Sequence, residues 1–201
     1  KQRYDRMENF DQVYSCQVVN YDGTLDGEEI LKGIEEENPV EYWNEYTLLN
    51  LPSEMFRTKY NQTMYVLAPY SQVKEGAGRA GLEFPYKELE DDQVVGLSHE
   101  ILFSLAGTNE PSAVNIGEKT YDEVDVTTTP YLGKLQTYTE AYIVSDRTFE
   151  ELKSRGSLLY IYNYRLENPG NIEASRPWLQ DLVQGGEEGM TGVSYTEDSL
   201  N

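Results

Sequence analysis

Along this chain the apolar positions recur with two periods, and each change of period marks a new element. Val13 to Asn20 alternates every second residue, as a half-buried strand does, and Asp22-Gly23 closes it with a turn. From Gly27 the period lengthens. The stretch GEEILKGIEEENP sets Ile30, Leu31 and Ile34 on one helical face with acids opposite, and Pro39 stops it. Val40 to Leu51 (VEYWNEYTLLNL) fits a helix or a strand. Thr63 to Ala68 (TMYVLA) predicts a strand ended by Pro69. Residues 71–92 are rich in Gly, Lys and acids and predict a long loop or the seam between two lobes.

The second half is more regular. Gln93 to Leu97 predicts a short buried strand, after which Ser98 can cap a helix HEILFSLAG that Gly107 ends. Val114-Asn115-Ile116, a Gly117-Glu118 turn and Lys119 to Val126 predict a hairpin. Ala141 to Val144 predicts a strand. Ser145 or Asp146 then caps a short helix through Leu152, with Glu150 and Glu151 placed near its positive end. Leu158 to Leu166 (LLYIYNYRL) carries the strongest strand pattern. After Asn168-Pro169-Gly170 a helix carries Trp178, Leu179, Leu182 and Val183 on one side, and Gly185 to Asn201 is a polar, weakly extended tail. Strand–helix units alternating with hairpins predict an α+β fold on a mixed sheet. One domain is expected over residues 1–201, with lobes at 1–70 plus the C-terminal tail and at 85–185, joined by the loop at 71–92.

Composition narrows the function. Of 201 residues, 38% are hydrophobic and 26% charged, the balance of a globular chain. Seventeen Tyr stand against five Phe, which predicts aromatic mass at half-buried faces, ring inside and hydroxyl wet. No run approaches the roughly 18 apolar residues of a membrane helix. The opening KQRYDRMENF is too polar for a signal peptide, so the chain is expected to be soluble as it stands, even if it is a piece of a membrane protein. The net charge of −20, from 36 acidic and 16 basic residues, argues against a nucleic-acid binder, which needs cations to displace counterions from phosphates. It argues equally against docking on anionic lipid. The acid keeps the domain soluble, or forms a face that attracts a cationic peptide or basic protein. Cys16 stands alone, so no internal disulfide can form. Sharing a strand face with Tyr14 and Val18, it reads as a small buried hydrophobe, not a reactive thiol.

Several motifs invite chemistry and fail on context. Gly76-Ala77-Gly78-Arg79-Ala80-Gly81 has GxGxxG spacing, but a dinucleotide site needs a buried strand before it and a helix after it. Here SQVKE precedes it and LEFPYKE follows, with Pro85 barring a helix, so a flexible loop is expected. Asp22, Thr24, Asp26 and Gly27 imitate the start of a calcium loop, yet the twelfth position, which must be Glu, is Gly33. His99 is the single histidine, so no pair of histidine ligands exists, and no nucleophile elbow accompanies it. The runs Glu35-Glu36-Glu37 and Glu90-Asp91-Asp92 read as a solvated helix face and a charged loop, not paired catalytic carboxylates. No catalytic, cofactor-binding or metal-binding residue is assigned, and no enzyme is expected.

Two stretches bear a family likeness. Residues 89–126, LEDDQVVGLSHEILFSLAGTNEPSAVNIGEKTYDEVDV, resemble the FtsX/MacB-like ABC-transporter permeases: an acidic lead-in, a VV-containing strand, a helix ending in small residues and Gly, and a V-x-I-G-x-K-x-Y-x-V hairpin. AYIVSDRTFEELKS (Ala141 to Ser154) is similar to the strand–Ser-Asp–Phe–Glu–Leu element that closes such domains, with LLYIYNYRLENPGN after it. The resemblance covers roughly residues 85–185; where the family has Gly-Asp before the hairpin, Asn109-Glu110-Pro111-Ser112 stands here. It implies a domain on the extracellular face of the cell membrane, inserted between two membrane helices absent from this chain. A cytoplasmic ATPase subunit would then drive motion through those helices, and no catalytic residues are implied. An inserted domain must return both ends to one surface, so the chain near Phe10 and near Tyr195 is expected to emerge within roughly 20 Å, the reach of two packed helices plus slack. The alternative is a secreted or surface-anchored binding protein without a transporter.

Overall fold

A computed structural model describes residues 13–20, 25–57, 64–98, 111–137, 139–168, 177–178, 181 and 193–197. In chain order these form β1 (Cys16–Asn20), α1 (Gly27–Glu37), β2 (Val40–Leu51), β3 (Phe56–Arg57), β4 (Tyr65–Pro69), α2 (Tyr70–Ala80) and β5 (Gln93–Leu97). There follow β6 (Ala113–Ile116), β7 (Lys119–Thr127), β8 (Glu140–Val144), α3 (Asp146–Leu152), β9 (Ser157–Leu166) and β10 (Val193–Glu197). The fold is α+β on mixed strand pairing, as the periodicities predict. The Asp22-Gly23 turn and the helix after Ser98 lie outside the described residues. Of the helix expected to carry Trp178, Leu179, Leu182 and Val183, only residues 177–178 and 181 are described.

The chain divides into two units, Lys1–Tyr46 with Leu159–Asn201, and Thr47–Leu158. In the first, the strands run in the order β10-β1-β9-β2. Cys16 and Val18 of β1 and Tyr162, Tyr164 and Leu166 of β9 pack on Ile30 and Ile34 of α1. Asp26 starts that helix: its carboxylate accepts the Glu28 N–H at 3.0 Å, as an N-cap should. The ambiguous segment 40–51 is strand β2, in which Asn44, Tyr46, Leu48 and Leu49 are buried. Its aromatic and β-branched residues suit a pleated surface better than a helix.

In the second unit the order is β2-β4-β8-β5-β7-β6-β3. The pairs β4/β8 and β5/β7 are parallel, and β5/β8, β6/β7 and β2/β4 antiparallel. Leu67, Val94, Tyr142 and Val144 make the middle of its core, and Phe149 and Leu152 of α3 close it. Ser145 caps α3 by accepting the Thr148 N–H at 3.0 Å. The β6–β7 hairpin turns on Gly117, whose φ of 62° is the left-handed conformation such a two-residue loop needs.

Three expectations require correction. Residues 71–92 are not one loop, because Tyr70–Ala80 is α2, which follows β4 directly after Pro69. Tyr70, Val73, Gly76 and Ala77 fall on one helical face and are buried. Each glycine costs the helix about 1 kcal/mol, and burial of Tyr70 and Val73 offsets that. Pro85 does not interfere, since Gly81 in the left-handed conformation (φ 67°) has already ended the helix. The two units divide within β2 and β9. Glu150 and Glu151 sit in the last turn of α3, its negative end, because that helix stops at Leu152; Arg147, one turn earlier, pairs with Glu151 at 3.1 Å. The polar tail contributes a strand, β10, since an extended chain beside β1 can satisfy its backbone there whatever its side chains.

Candidate functional site

The feature with clearest functional meaning is how the chain enters and leaves the first unit. β1 and β10 pair antiparallel, with Cys16 opposite Glu197 and Asn20 opposite Val193. The first residue of β1 and the last residue of β10 therefore lie at the same end of one ladder. Opposed Cα atoms in such a ladder stand about 4.5–5.5 Å apart. Phe10 lies outside the described residues, whereas Tyr195 is the partner of Val18. On its other side β1 is tied to β9 beyond the regular ladder. Ser15 N donates to Tyr164 O at 2.6 Å, Leu166 N to Ser15 Oγ at 3.1 Å, and Gln17 Nε2 to Asn163 Oδ1 at 2.6 Å.

Several residues of the motifs singled out in the sequence are described in the structure. Gly76 and Gly78 lie in the carboxyl half of α2, where the helix dipole is negative and repels phosphate. Asp26 caps α1, while Asp22, Thr24 and His99 lie outside the described residues. Glu35, Glu36 and Glu37 are exposed on α1. Asp91, in contrast, is a structural hub. Its carboxylate accepts from Ser145 Oγ at 2.9 Å and lies 3.4 Å from the Arg147 guanidinium. Its carbonyl accepts from Thr148 Oγ1 and Lys119 Nζ. Cys16 is buried in the α1 core, as its strand position predicts. Among the described residues no group of three or more His, Cys, Asp or Glu is arranged to hold a metal ion.

Two carboxylates that sequence reasoning passed over are buried: Glu123 on β7 and Glu140 on β8. Glu123 folds over Gly96, where a Cβ would meet its Oε2 at 2.5 Å, and accepts the Ser112 N–H at 3.2 Å. Glu140 receives the Tyr142 hydroxyl. The glycine opposite was the available signal for Glu123, because a strand glycine often marks a close approach.

Tyrosines do structural work through both ends of the ring. Phe84 packs against Tyr70, Tyr86 and Tyr131 with ring centroids 5.3–5.6 Å apart. The Tyr70 hydroxyl donates to the Tyr86 carbonyl at 2.7 Å, that of Tyr86 to Asp125 at 2.6 Å, and that of Tyr131 to the Glu83 carbonyl. These bonds pin the segment after α2. Burial, the largest cause, pushes Tyr42 and Tyr131 up to about 12 and raises Tyr86 further, the bond to Asp125 adding to it. In the first unit, burial and then the neighbouring Asp26 and Glu28 raise Glu45 above the usual carboxylate range.

No family model and no curated protein matches this chain. Among solved structures it is similar to the periplasmic region of MacB from Actinobacillus actinomycetemcomitans, over 94% of this chain and 91% of that one. The identity is 10% and the TM-score 0.36, a likeness too slight to carry an argument about fold or function.

Proposed function

We propose that this chain is a non-catalytic extracellular domain of a bacterial ABC-transporter permease of the FtsX-like kind. It binds a ligand or partner outside the cell and relays motion driven by a cytoplasmic ATPase subunit. The observation that supports the reading is the β1–β10 ladder, which pairs the first residue of β1, Cys16, with the last of β10, Glu197. Insertion between consecutive membrane helices asks for that arrangement, since packed helices lie about 8–10 Å apart axis to axis. The stretches that carry the family resemblance add support, folding in order as β5, the β6–β7 hairpin, β8 running into α3, and β9. The net charge of −20 favours a cationic peptide or a basic protein as the extracellular partner.

The test is the full reading frame together with purification from membranes. Apolar spans on both sides of these residues, and an ATPase subunit that copurifies in detergent, are the expected result. A reading frame with no span on either side would refute the proposal and leave the secreted binding protein.

A further inference from the structure

We propose that Asn20, Asp26 and Glu45 form a calcium site at the amino end of α1. Strand register brings the three together. β1 and β9 pair Val18 with Tyr162 and Asn20 with Tyr160. On the other side of β9, the Glu167 N–H donates to the Pro39 carbonyl at 3.0 Å, Arg165 stands 3.9 Å from Glu41, and Trp43 stacks on Tyr164. Continued by two residues, that antiparallel progression sets Glu45 beside Tyr162, on the face that Trp43 and Tyr164 turn to α1. α1 begins on the same ring, since a Cβ at Gly27 would meet Tyr162 Cε1 at 2.6 Å. Asn20 at the end of β1, Asp26 at the N-cap and Glu45 on β2 therefore surround one tyrosine. The Tyr162 hydroxyl registers all three: burial raises it most, a hydrogen bond from the Asn20 amide lowers it, and Glu45, Tyr160 and Asp26 raise it.

The cluster lacks a positive charge. Among the described residues no Lys or Arg pairs with Asp26, Glu28 or Glu45. The independent sign of a ligand is Asn20, which is 0% exposed. Its Nδ2 donates to the Leu25 carbonyl at 3.2 Å, and its Oδ1 has no partner. That carbonyl can only accept, so the amide cannot be turned round to remove the orphan. Held against Leu25 and Tyr162, the amide keeps Oδ1 among the same groups, where a buried acceptor without a donor costs about 1–3 kcal/mol. A cation would satisfy it. Asp26 can serve while it caps α1, because Oδ1 takes the Glu28 N–H at 3.0 Å and leaves Oδ2. Three oxygen donors from three elements select a hard cation, in the irregular geometry that calcium tolerates and magnesium does not. The linear calcium-loop pattern fails because Gly33 stands where a Glu is required, and Glu45 supplies that carboxylate from another strand. Asp22 and Thr24 lie outside the described residues and are not counted. Two carboxylates fall short of a centre built from three or more acids, so water completes the shell. The expected Kd is on the order of 10⁻⁴–10⁻³ M, the range of extracellular calcium modules.

Calcium chloride titrated into the 201-residue chain tests the site. The buffer holds about 0.15 M KCl, where exposed charges are screened beyond about 8 Å. Calorimetry should give one site, and the urea midpoint should rise with calcium but not with equimolar magnesium. Glu45→Gln should weaken binding by about tenfold or more, since affinity follows the number of charged ligands. In calcium-free buffer the same variant should unfold at higher urea, because it relieves repulsion between like charges. Asp26→Ser keeps an N-cap and should also weaken binding. Glu36→Gln removes the same charge about 15 Å further along α1 and should leave binding unchanged. No calcium response, or an equal response to magnesium, would overturn the site. Equal losses in Glu45→Gln and Glu36→Gln would overturn it too, reducing the effect to counterions gathered by the net charge of −20. A reading frame without flanking spans bears on the permease reading alone and leaves the calcium site standing.

Discussion

Two helical glycines in different surroundings should respond to the same substitution with opposite sign. Gly78 in α2 is exposed, and a Cβ there meets nothing within 4 Å. Gly78→Ala therefore gains helix propensity with no contact to disturb, a stabilisation of about 0.5–1 kcal/mol. Gly33 in α1 lies beneath the Trp178 indole. A Cβ there would approach Cε2 and Cη2 to 2.6 Å, and Cζ2 more closely still, where ordinary contact starts at 3.4 Å. Cζ2, the nearest atom, sets the retreat, so the ring must move by more than the roughly 0.8 Å that Cε2 and Cη2 alone would require. Overpacking of that kind costs about 1–3 kcal/mol, which exceeds the propensity gain of about 1 kcal/mol. Gly33→Ala is thus expected to destabilise by up to about 2 kcal/mol. Urea unfolding of both variants, read by far-ultraviolet circular dichroism, measures the pair. Adding Trp178→Ala removes the obstacle, so in that background Gly33→Ala should become stabilising, and the double-mutant cycle isolates the clash. Equal stabilisation by Gly33→Ala and Gly78→Ala in the wild-type background would show that Trp178 does not lie on α1.

Further outcomes follow from the second unit and from the tyrosines. Phe149 is 5% exposed in the core, so Phe149→Ala should cost about 3–5 kcal/mol in the same assay, and a loss under about 1 kcal/mol would place α3 off the sheet. Ser145→Ala removes the cap of α3 and the bond to Asp91, for a loss of about 1–2 kcal/mol; Ser145→Thr, which keeps a hydroxyl able to cap and to donate to Asp91, should recover part of it. Tyr42 and Tyr131 hold their protons up to about 12 in the fold, against about 10 unfolded. The unfolded chain then binds fewer protons between those values, so their contribution is present below about pH 10 and lost as pH rises towards 12. Urea midpoints should fall across that window, and fall less in Tyr131→Phe; a flat profile would contradict the burial of these hydroxyls.

What the sequence disclosed follows from how local each cause is. Ile30 and Ile34, the Gly117-Glu118 turn and the Ser145 cap are settled within one or two turns of chain, and each was readable. β2 was ambiguous because its burial alternates over only part of its length; Leu48 and Leu49, adjacent in sequence, are both buried. α2 was missed because its core face is built from Gly76 and Ala77, residues that count for nothing in a search for apolar periodicity. β10 was missed for a related reason: its pairing depends on β1, about 175 residues earlier, and not on its own composition. At the candidate site, the pairing of β1 with β10 required the register. The burial of Glu123 depends on the space above Gly96 on a neighbouring strand.

The central claim, a domain held outside the cell between two membrane helices, is tested most directly by labelling the full-length protein in intact cells. Glu36 is exposed on α1 and Cys16 is 4% exposed, so Glu36→Cys adds a reactive thiol to these residues, and the parent protein, labelled in parallel, gives the background. A membrane-impermeant maleimide should label that variant without permeabilisation, and the labelled protein should stay in the membrane fraction after an alkaline carbonate wash. Labelling that appears only after the cells are broken, or release of the labelled protein by carbonate, would contradict it.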